Sequence, residues 1–136
     1  MLAAVFVGGC GGGLARELIS ARWPTTGGAF PWAVLVINLT GSFLLAALLT
    51  VADRLLPTRP YVRPLLASGF CGAFTTFSAV MASSVLLLAH GHSMLGAAYL
   101  AASFFGGLLA AALGLFSARA AVGRCTRSAP VAEPCG

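Results

Sequence analysis

Three long stretches of the chain contain no charged residue, and this feature limits the possible fold most strongly. They cover residues 32–52, 65–89 and 94–116. A helix needs about 20 mostly apolar residues to cross the roughly 30 Å hydrocarbon layer of a bilayer. Only 8% of the 136 residues are charged, whereas a soluble domain has about a quarter. We therefore predict that all three stretches span a membrane.

The N-terminal stretch, residues 2–21, is the fourth candidate span. It is apolar and rich in glycine until Arg16 and Glu17 interrupt it. A cleaved signal peptide is the alternative, but its positive charge would precede the apolar run, and here the order is reversed. We predict an all-α membrane protein with one four-helix domain, residues 1–117, followed by a disordered tail, residues 118–136.

The distribution of arginine predicts the orientation. Four spans place both termini and the second connection on the same side of the membrane. Cytoplasmic connections are enriched in positive residues, so the side with more arginine is expected to face the cytoplasm. Arg16 and Arg22 lie toward the other side, whereas six arginines share the side of the termini: Arg54, Arg59, Arg63, Arg119, Arg124 and Arg127. We predict a multi-pass protein of the cell (plasma or inner) membrane with both termini in the cytoplasm.

The chain offers little for catalysis. Its two histidines, His90 and His92, fall in the short third connection, where we expect them to be solvated. The tail cysteines Cys125 and Cys135 lack a second ligand pair, so a metal site there is not expected. No combination of nucleophile and base is present in the spans, and we predict that the chain is not an enzyme.

The third uncharged stretch has a weak point for a continuous helix. Residues 69–78 read GFCGAFTTFS, which combines two glycines with two adjacent threonines. Glycine in a helix interior costs about 1 kcal/mol relative to alanine. A broken backbone persists at membrane depth only where protein buries it or a polar path passes it, and carbonyl ends at such breaks can bind cations. We predict a broken third helix, with Gly72 and Thr75 as candidate carbonyl ligands of a buried cation.

Polar residues in the second and fourth spans recur every four residues. Asn38 and Ser42 share one helix face, as do Tyr99, Ser103 and Gly107. Small and polar residues often pack membrane helices together. This spacing alone therefore leaves helix packing and an ion path both open.

Three motifs resemble those of the Fluc or CrcB type of fluoride channel. Residues 8–16, GGCGGGLAR, are similar to that family's glycine-rich first helix with its terminal arginine. Residues 38–43, NLTGSF, resemble its second-helix asparagine motif, and residues 72–78, GAFTTFS, resemble its third-helix signature. The resemblance covers nearly the whole chain.

The resemblance implies a fluoride-specific channel that lets cytoplasmic fluoride leave the cell passively and so lowers its toxicity. It implies an antiparallel dimer of four-helix subunits with two pores at the interface. A central structural Na⁺, shared between the subunits, would be held by the backbone carbonyls of Gly72 and Thr75. Arg16 would lie near a pore vestibule. The fluoride path would involve six residues of this subunit: Asn38, Thr76, Phe77, Ser78, Tyr99 and Ser103.

Two departures from the family pattern reduce the polar groups of this subunit. Val80 stands where the family usually has a second phenylalanine, and Ala33 and Val34 replace a Gly-Thr pair. A homodimer with opposite orientations needs nearly balanced charge, whereas the arginine asymmetry favours one orientation. We therefore hypothesise a second, homologous chain of opposite orientation, with a homodimer as the alternative.

Two other functions are compatible with four spans. A proton-coupled small multidrug exporter needs an intramembrane carboxylate, for which Glu17 is the only candidate. A non-transporting membrane scaffold would use its small residues only for packing. Such a scaffold would tolerate Asn38→Ala and Phe77→Ile, whereas a channel would not.

Overall fold

The computed structural model describes residues 1–24 and 28–127, and the regular elements in these ranges are helical. Four helical segments are long and apolar enough to cross a membrane, which confirms the prediction of an all-α protein with four spans. The elements are α1 (Leu2–Arg22), α2 (Trp32–Leu55), α3 (a wide π-type segment, Pro64–Cys71, continued by Gly72–Phe74), α4 (Phe77–Ala89) and α5 (Ser93–Arg127).

The helix boundaries follow from local sequence. Pro31 precedes α2 and Pro64 opens α3, at positions where a missing backbone N–H costs little. Gly91 closes α4 with a φ of +79°. The N–H groups of Gly91 and His92 then donate to the carbonyls of Leu88 and Leu87 at 3.0 and 2.9 Å. This pair of bonds is the Schellman motif that commonly ends helices.

The backbone is extended between α3 and α4. Thr75 has φ −81° and ψ 153°, and Thr76 has φ −149° and ψ 113°. The Thr75 N–H donates to the Cys71 carbonyl at 3.0 Å, which completes α3. The Thr76 hydroxyl accepts from the Ala79 N–H at 3.2 Å and so caps the first turn of α4. Within the 26-residue stretch Pro64–Ala89, the backbone is helical before and after the extended residues Thr75 and Thr76.

Glycines bring the backbones of neighbouring helices into direct contact. A Cβ atom on Gly8 or Gly12 of α1 would overlap a backbone carbonyl of α3, at Leu65 or Phe70. Gly114 of α5 faces the carbonyl of Phe43 in the same way. Small residues permit such close approach between membrane helices, so α1 packs on α3, and α5 packs on α2.

Helix α5 continues beyond the predicted end of the fourth span. Residues 118–127 are helical, whereas the sequence analysis assigned them to a disordered tail. The segment is rich in alanine, which favours helix, and Ala118 and Val122 are buried four residues apart. Residues 128–136, including Cys135, lie outside the described residues, as does the side chain of Cys125.

Candidate functional site

A groove of about 530 Å³ lies between α2, α4 and α5. Among the described residues that line it, none is charged. The lining is amphipathic, with hydroxyl and amide groups beside aromatic and aliphatic side chains. The polar members are Asn38, Ser42, Thr76 and Ser103, and the apolar members include Phe77, Val80, Met81 and Phe104.

The Asn38 side chain joins α2 to the extended backbone between α3 and α4. Its Oδ1 accepts from the Thr76 N–H at 2.9 Å, and its Nδ2 donates to the Thr76 carbonyl at 3.2 Å. Nδ2 also donates to the Val34 carbonyl at 3.1 Å. Both amide hydrogens are thus engaged with backbone. Asn38 borders the groove, but its hydrogen bonds hold Thr76 in place.

The carbonyls of Gly72 and Thr75 are among those that lose their helical donors at this point. In a continuous helix the Thr76 N–H would donate to the Gly72 carbonyl, but here it donates to Asn38. The Ala79 N–H would donate to the Thr75 carbonyl, but it bonds the Thr76 hydroxyl instead. Gly72 and Thr75, the residues predicted to bind a cation, therefore present carbonyl oxygens that the helix does not use. Carbonyl oxygens are suitable ligands for a hard cation such as Na⁺.

The threonine and serine hydroxyls around the extended backbone form a local network. The Thr75 hydroxyl donates to the Cys71 carbonyl at 2.9 Å. Thr76 Oγ1 and Ser78 Oγ are 3.1 Å apart. Of these side chains only Thr76 lines the groove; Ser78 is exposed beside it.

Two predicted site residues on α5 carry unpaired hydroxyls. Tyr99 is fully buried, at 0% exposure. Its ring packs edge-on against the ring of Phe30, with 5.4 Å between the ring centroids. Neither the Tyr99 hydroxyl nor the Ser103 Oγ makes a hydrogen bond of standard geometry with the described residues, although Ser83 and Ser103 lie near the Tyr99 hydroxyl. An unpaired buried hydroxyl lowers the free energy of unfolding by about 1–3 kcal/mol. These two hydroxyls are polar groups among mostly apolar side chains. Ser103 is one of the residues that line the groove, with its Oγ buried, whereas Tyr99 is not among them.

The structure brings Asn38, Thr76, Phe77 and Ser103 together around one groove. Sequence reasoning left Ser42 out of the site, although its position one turn after Asn38 was a usable signal. It could not indicate Phe104, because nothing in the sequence distinguishes this phenylalanine from its neighbours.

Arg16 lies apart from the groove, on α1. Its guanidinium is 3.5 Å from the carboxylate of Glu17, whose side chain is 71% exposed. An exposed, paired carboxylate is a poor proton carrier for a multidrug exporter, which needs one inside the membrane.

Comparison with known proteins establishes the family. A sequence model of the family described as CrcB-like protein, Camphor Resistance (CrcB), matches residues 3–115. The chain belongs to this family. With four helices able to span a bilayer, this CrcB-like chain is a multi-pass membrane protein.

Curated relatives support the same assignment. The chain is 44% identical over 129 residues to a Streptomyces avermitilis protein named fluoride-specific ion channel FluC 3, covering 95% of this chain and 63% of that protein. It is 43% identical over 109 residues to FluC 1 of Mycolicibacterium paratuberculosis, covering 80% and 83%. A FluC of Chlorobium chlorochromatii is 41% identical over 115 residues, covering 85% and 89%. These names describe ion channels, in agreement with the expectation that the chain is not an enzyme.

Proposed function

We propose that this CrcB-family chain is a subunit of a fluoride-specific ion channel that lets cytoplasmic fluoride leave the cell passively. The observation that carries the proposal is the uncharged, amphipathic groove beside the extended backbone of Thr75 and Thr76. The names of the relatives point to fluoride as the ion.

The chemistry of the groove suits a small, strongly hydrated anion. Such an anion needs hydrogen-bond donors to replace its water, and conduction needs sites that are favourable but weak. The hydroxyls of Ser42, Thr76 and Ser103 are neutral donors of this kind. The ring edge of Phe77 adds a positive region of its quadrupole. A fixed arginine in the same place would hold fluoride too tightly, and none of the described lining residues is charged.

Asn38 has a different part in this proposal from the hydroxyls. Because its amide hydrogens bond the carbonyls of Val34 and Thr76, Asn38 acts mainly by fixing Thr76 at the edge of the path. Tyr99 and Ser78 support the path from behind and beside it, and Arg16 lies toward a vestibule.

The backbone carbonyl oxygens at the end of α3 are suitable ligands for a structural Na⁺. The carbonyls of Gly72 and Thr75 have lost the N–H groups of Thr76 and Ala79 as donors, and Thr75 directly follows the last residue of α3. They would hold the ion jointly with the same carbonyls of a second subunit. When bound, the ion supplies positive potential at the centre of the channel without blocking the path of the anion.

The second subunit would pack in the opposite orientation against the groove face. Phe77 is 76% exposed and Phe104 is 62% exposed in the single chain, so a partner could complete the path at these rings. Val80 is buried in the core with Leu35, Leu87 and Tyr99 and offers no ring edge. The missing ring and the arginine asymmetry both favour a homologous partner of opposite orientation, with both termini of this chain in the cytoplasm of the cell.

Membrane potential drives the export in this scheme. A negative interior favours the exit of an anion by about 2.3 kcal/mol per charge for each 100 mV. No coupling to ATP or protons is required. Fluoride that enters as neutral HF and ionises inside would therefore leave by the channel.

Purification from the native cell tests the function while retaining any partner. The tagged chain, reconstituted in liposomes, should release trapped fluoride and not chloride. Mass spectrometry of the same sample identifies a second homologous chain if one is present. Phe77→Ile should lower fluoride release strongly, whereas Leu86→Ile, at an exposed position of α4 away from the groove, should not. Equal fluoride and chloride release, or no release by the native complex, would contradict the proposal.

A further inference from the structure

The turn between α4 and α5 holds two histidines on a fixed backbone. His90, Gly91 and His92 form the Schellman turn described above. The carbonyl of His92 then accepts the N–H of Gly96 at 2.9 Å, which starts α5. Both ends of this three-residue segment are therefore hydrogen-bonded, and the two imidazoles extend from a defined geometry.

The His90 ring is held in one tautomer. Its Nδ1 lies 2.7 Å from the carbonyl oxygen of Leu86. A carbonyl only accepts, so in the neutral imidazole this contact selects the tautomer with the proton on Nδ1 and the lone pair on Nε2. Metal-binding histidines usually donate their second ring N–H to a carbonyl or carboxylate in this way, which orients the ring.

Both rings converge on Gly28 of the connection between α1 and α2. The point that a Cβ of Gly28 would occupy is 3.6 Å from Nε2 of His92. The same point is 3.8 Å from Cδ2 of His90, the carbon bonded to its free Nε2. Gly28 has a φ of +83° and no side chain to fill this space. Both histidines are exposed as residues.

We propose that His90 and His92 bind one divalent transition-metal ion of the Zn²⁺ type through their Nε2 atoms. Neutral imidazole is a preferred ligand of Zn²⁺, Ni²⁺ and Cu²⁺. Within residues 1–24 and 28–127 no group of three or more histidine, cysteine or carboxylate side chains could hold a metal. Water completes the coordination, and the ion is exchangeable rather than permanent.

The proposal is independent of fluoride conduction. Neither histidine lines the groove between α2, α4 and α5. A bound ion would tie the two imidazoles together and restrain the α4–α5 turn where it meets the α1–α2 connection. It should therefore raise the thermal stability of the protein.

Calorimetric titration with ZnCl₂ tests the site directly. The full chain is purified in neutral detergent through a tag that contains no histidine. The wild type should bind one Zn²⁺ per chain, and His90→Gln and His92→Gln should each weaken binding by about 10-fold or more. Ser93→Ala, an exposed change next to the turn, should leave Zn²⁺ affinity unchanged.

Two outcomes would overturn the site. One is Zn²⁺ affinity in the double variant His90→Gln/His92→Gln equal to that of the wild type, and the other is the absence of saturable binding in the wild type. X-ray absorption of the Zn²⁺-loaded wild type adds a readout that does not depend on variant folding: two imidazole ligands are expected, and none would refute the assignment.

Discussion

Replacing Asn38 by leucine should destabilise the protein and loosen the backbone at Thr76. The two side chains are similar in size, so the change mainly removes three hydrogen bonds. The carbonyl of Val34 keeps its helical donor, but the N–H and carbonyl of Thr76 lose their partner. Each unpaired buried group costs about 1–3 kcal/mol. Because Asn38 is only half-buried and the groove adjoins Thr76, we expect a loss of about 2–4 kcal/mol.

Two measurements check this estimate. Equilibrium unfolding in mixed micelles gives the change in the free energy of unfolding. Hydrogen exchange of the Thr76 amide gives the local effect, and exchange should accelerate in Asn38→Leu. Asn38→Asp keeps the acceptor for the Thr76 N–H, but it turns a carboxylate oxygen toward the carbonyls of Val34 and Thr76, so it should also unfold more easily than the wild type. Its added negative charge at the groove should abolish fluoride release.

Thr50→Val is the matched control on the same helix. The Thr50 hydroxyl donates only to the carbonyl of Ala46, in its own helix, at 2.7 Å. Its removal should change stability by less than about 0.5 kcal/mol. If Asn38→Leu is as stable as Thr50→Val and the Thr76 amide remains equally protected, Asn38 does not hold the backbone as inferred here.

Three further variants separate packing, capping and conduction. Gly8→Ala should lower the unfolding free energy by about 1–3 kcal/mol because its Cβ would overlap the Leu65 carbonyl. Gly13→Ala, with open space around it, should not lower the unfolding free energy. Similar values for the two variants would contradict the close packing of α1 on α3. Thr76→Val should lower stability by about 1 kcal/mol through loss of the α4 cap, and an unchanged unfolding curve would refute the cap. Ser103→Ala should slow fluoride release from liposomes without lowering the melting temperature, since its hydroxyl has no partner among the described residues; normal release would remove Ser103 from the path.

Hydropathy located the spans well because burial in lipid requires long uncharged runs. Residues 32–52 and 65–89 lie within Trp32–Leu55 and Pro64–Ala89 of the structure. Hydropathy did not predict that α5 continues through residues 118–127, because a segment can be helical without being apolar enough to contact lipid. Alanine has a high intrinsic helix propensity. The helix therefore continues through Ala118 and Val122 after the apolar run has ended.

The site was less accessible to sequence reasoning than the fold. Motif resemblance selected Asn38, Thr76, Phe77 and Ser103, which do line one groove. The motif could not show what the Asn38 side chain bonds to. An asparagine that binds an ion and one that binds backbone groups look the same in the sequence. The role of Asn38 depends on a contact 38 residues away in sequence, and only the folded chain brings these groups together.

The adjacent residues Thr75 and Thr76, between α3 and α4, make different hydrogen bonds. The Thr75 hydroxyl bonds back to α3, whereas the Thr76 hydroxyl bonds forward to α4. Asn38 accepts the Thr76 N–H and the Thr76 hydroxyl accepts the Ala79 N–H, so these two side chains redirect the donors that would have closed the helix onto Gly72 and Thr75. The position of Thr76 at the groove and the redirected donors of the two carbonyls thus depend on one arrangement of hydrogen bonds. A substitution at Thr76 that disturbs one should therefore disturb the other, which links the proposed anion path to the proposed cation site without any charged side chain.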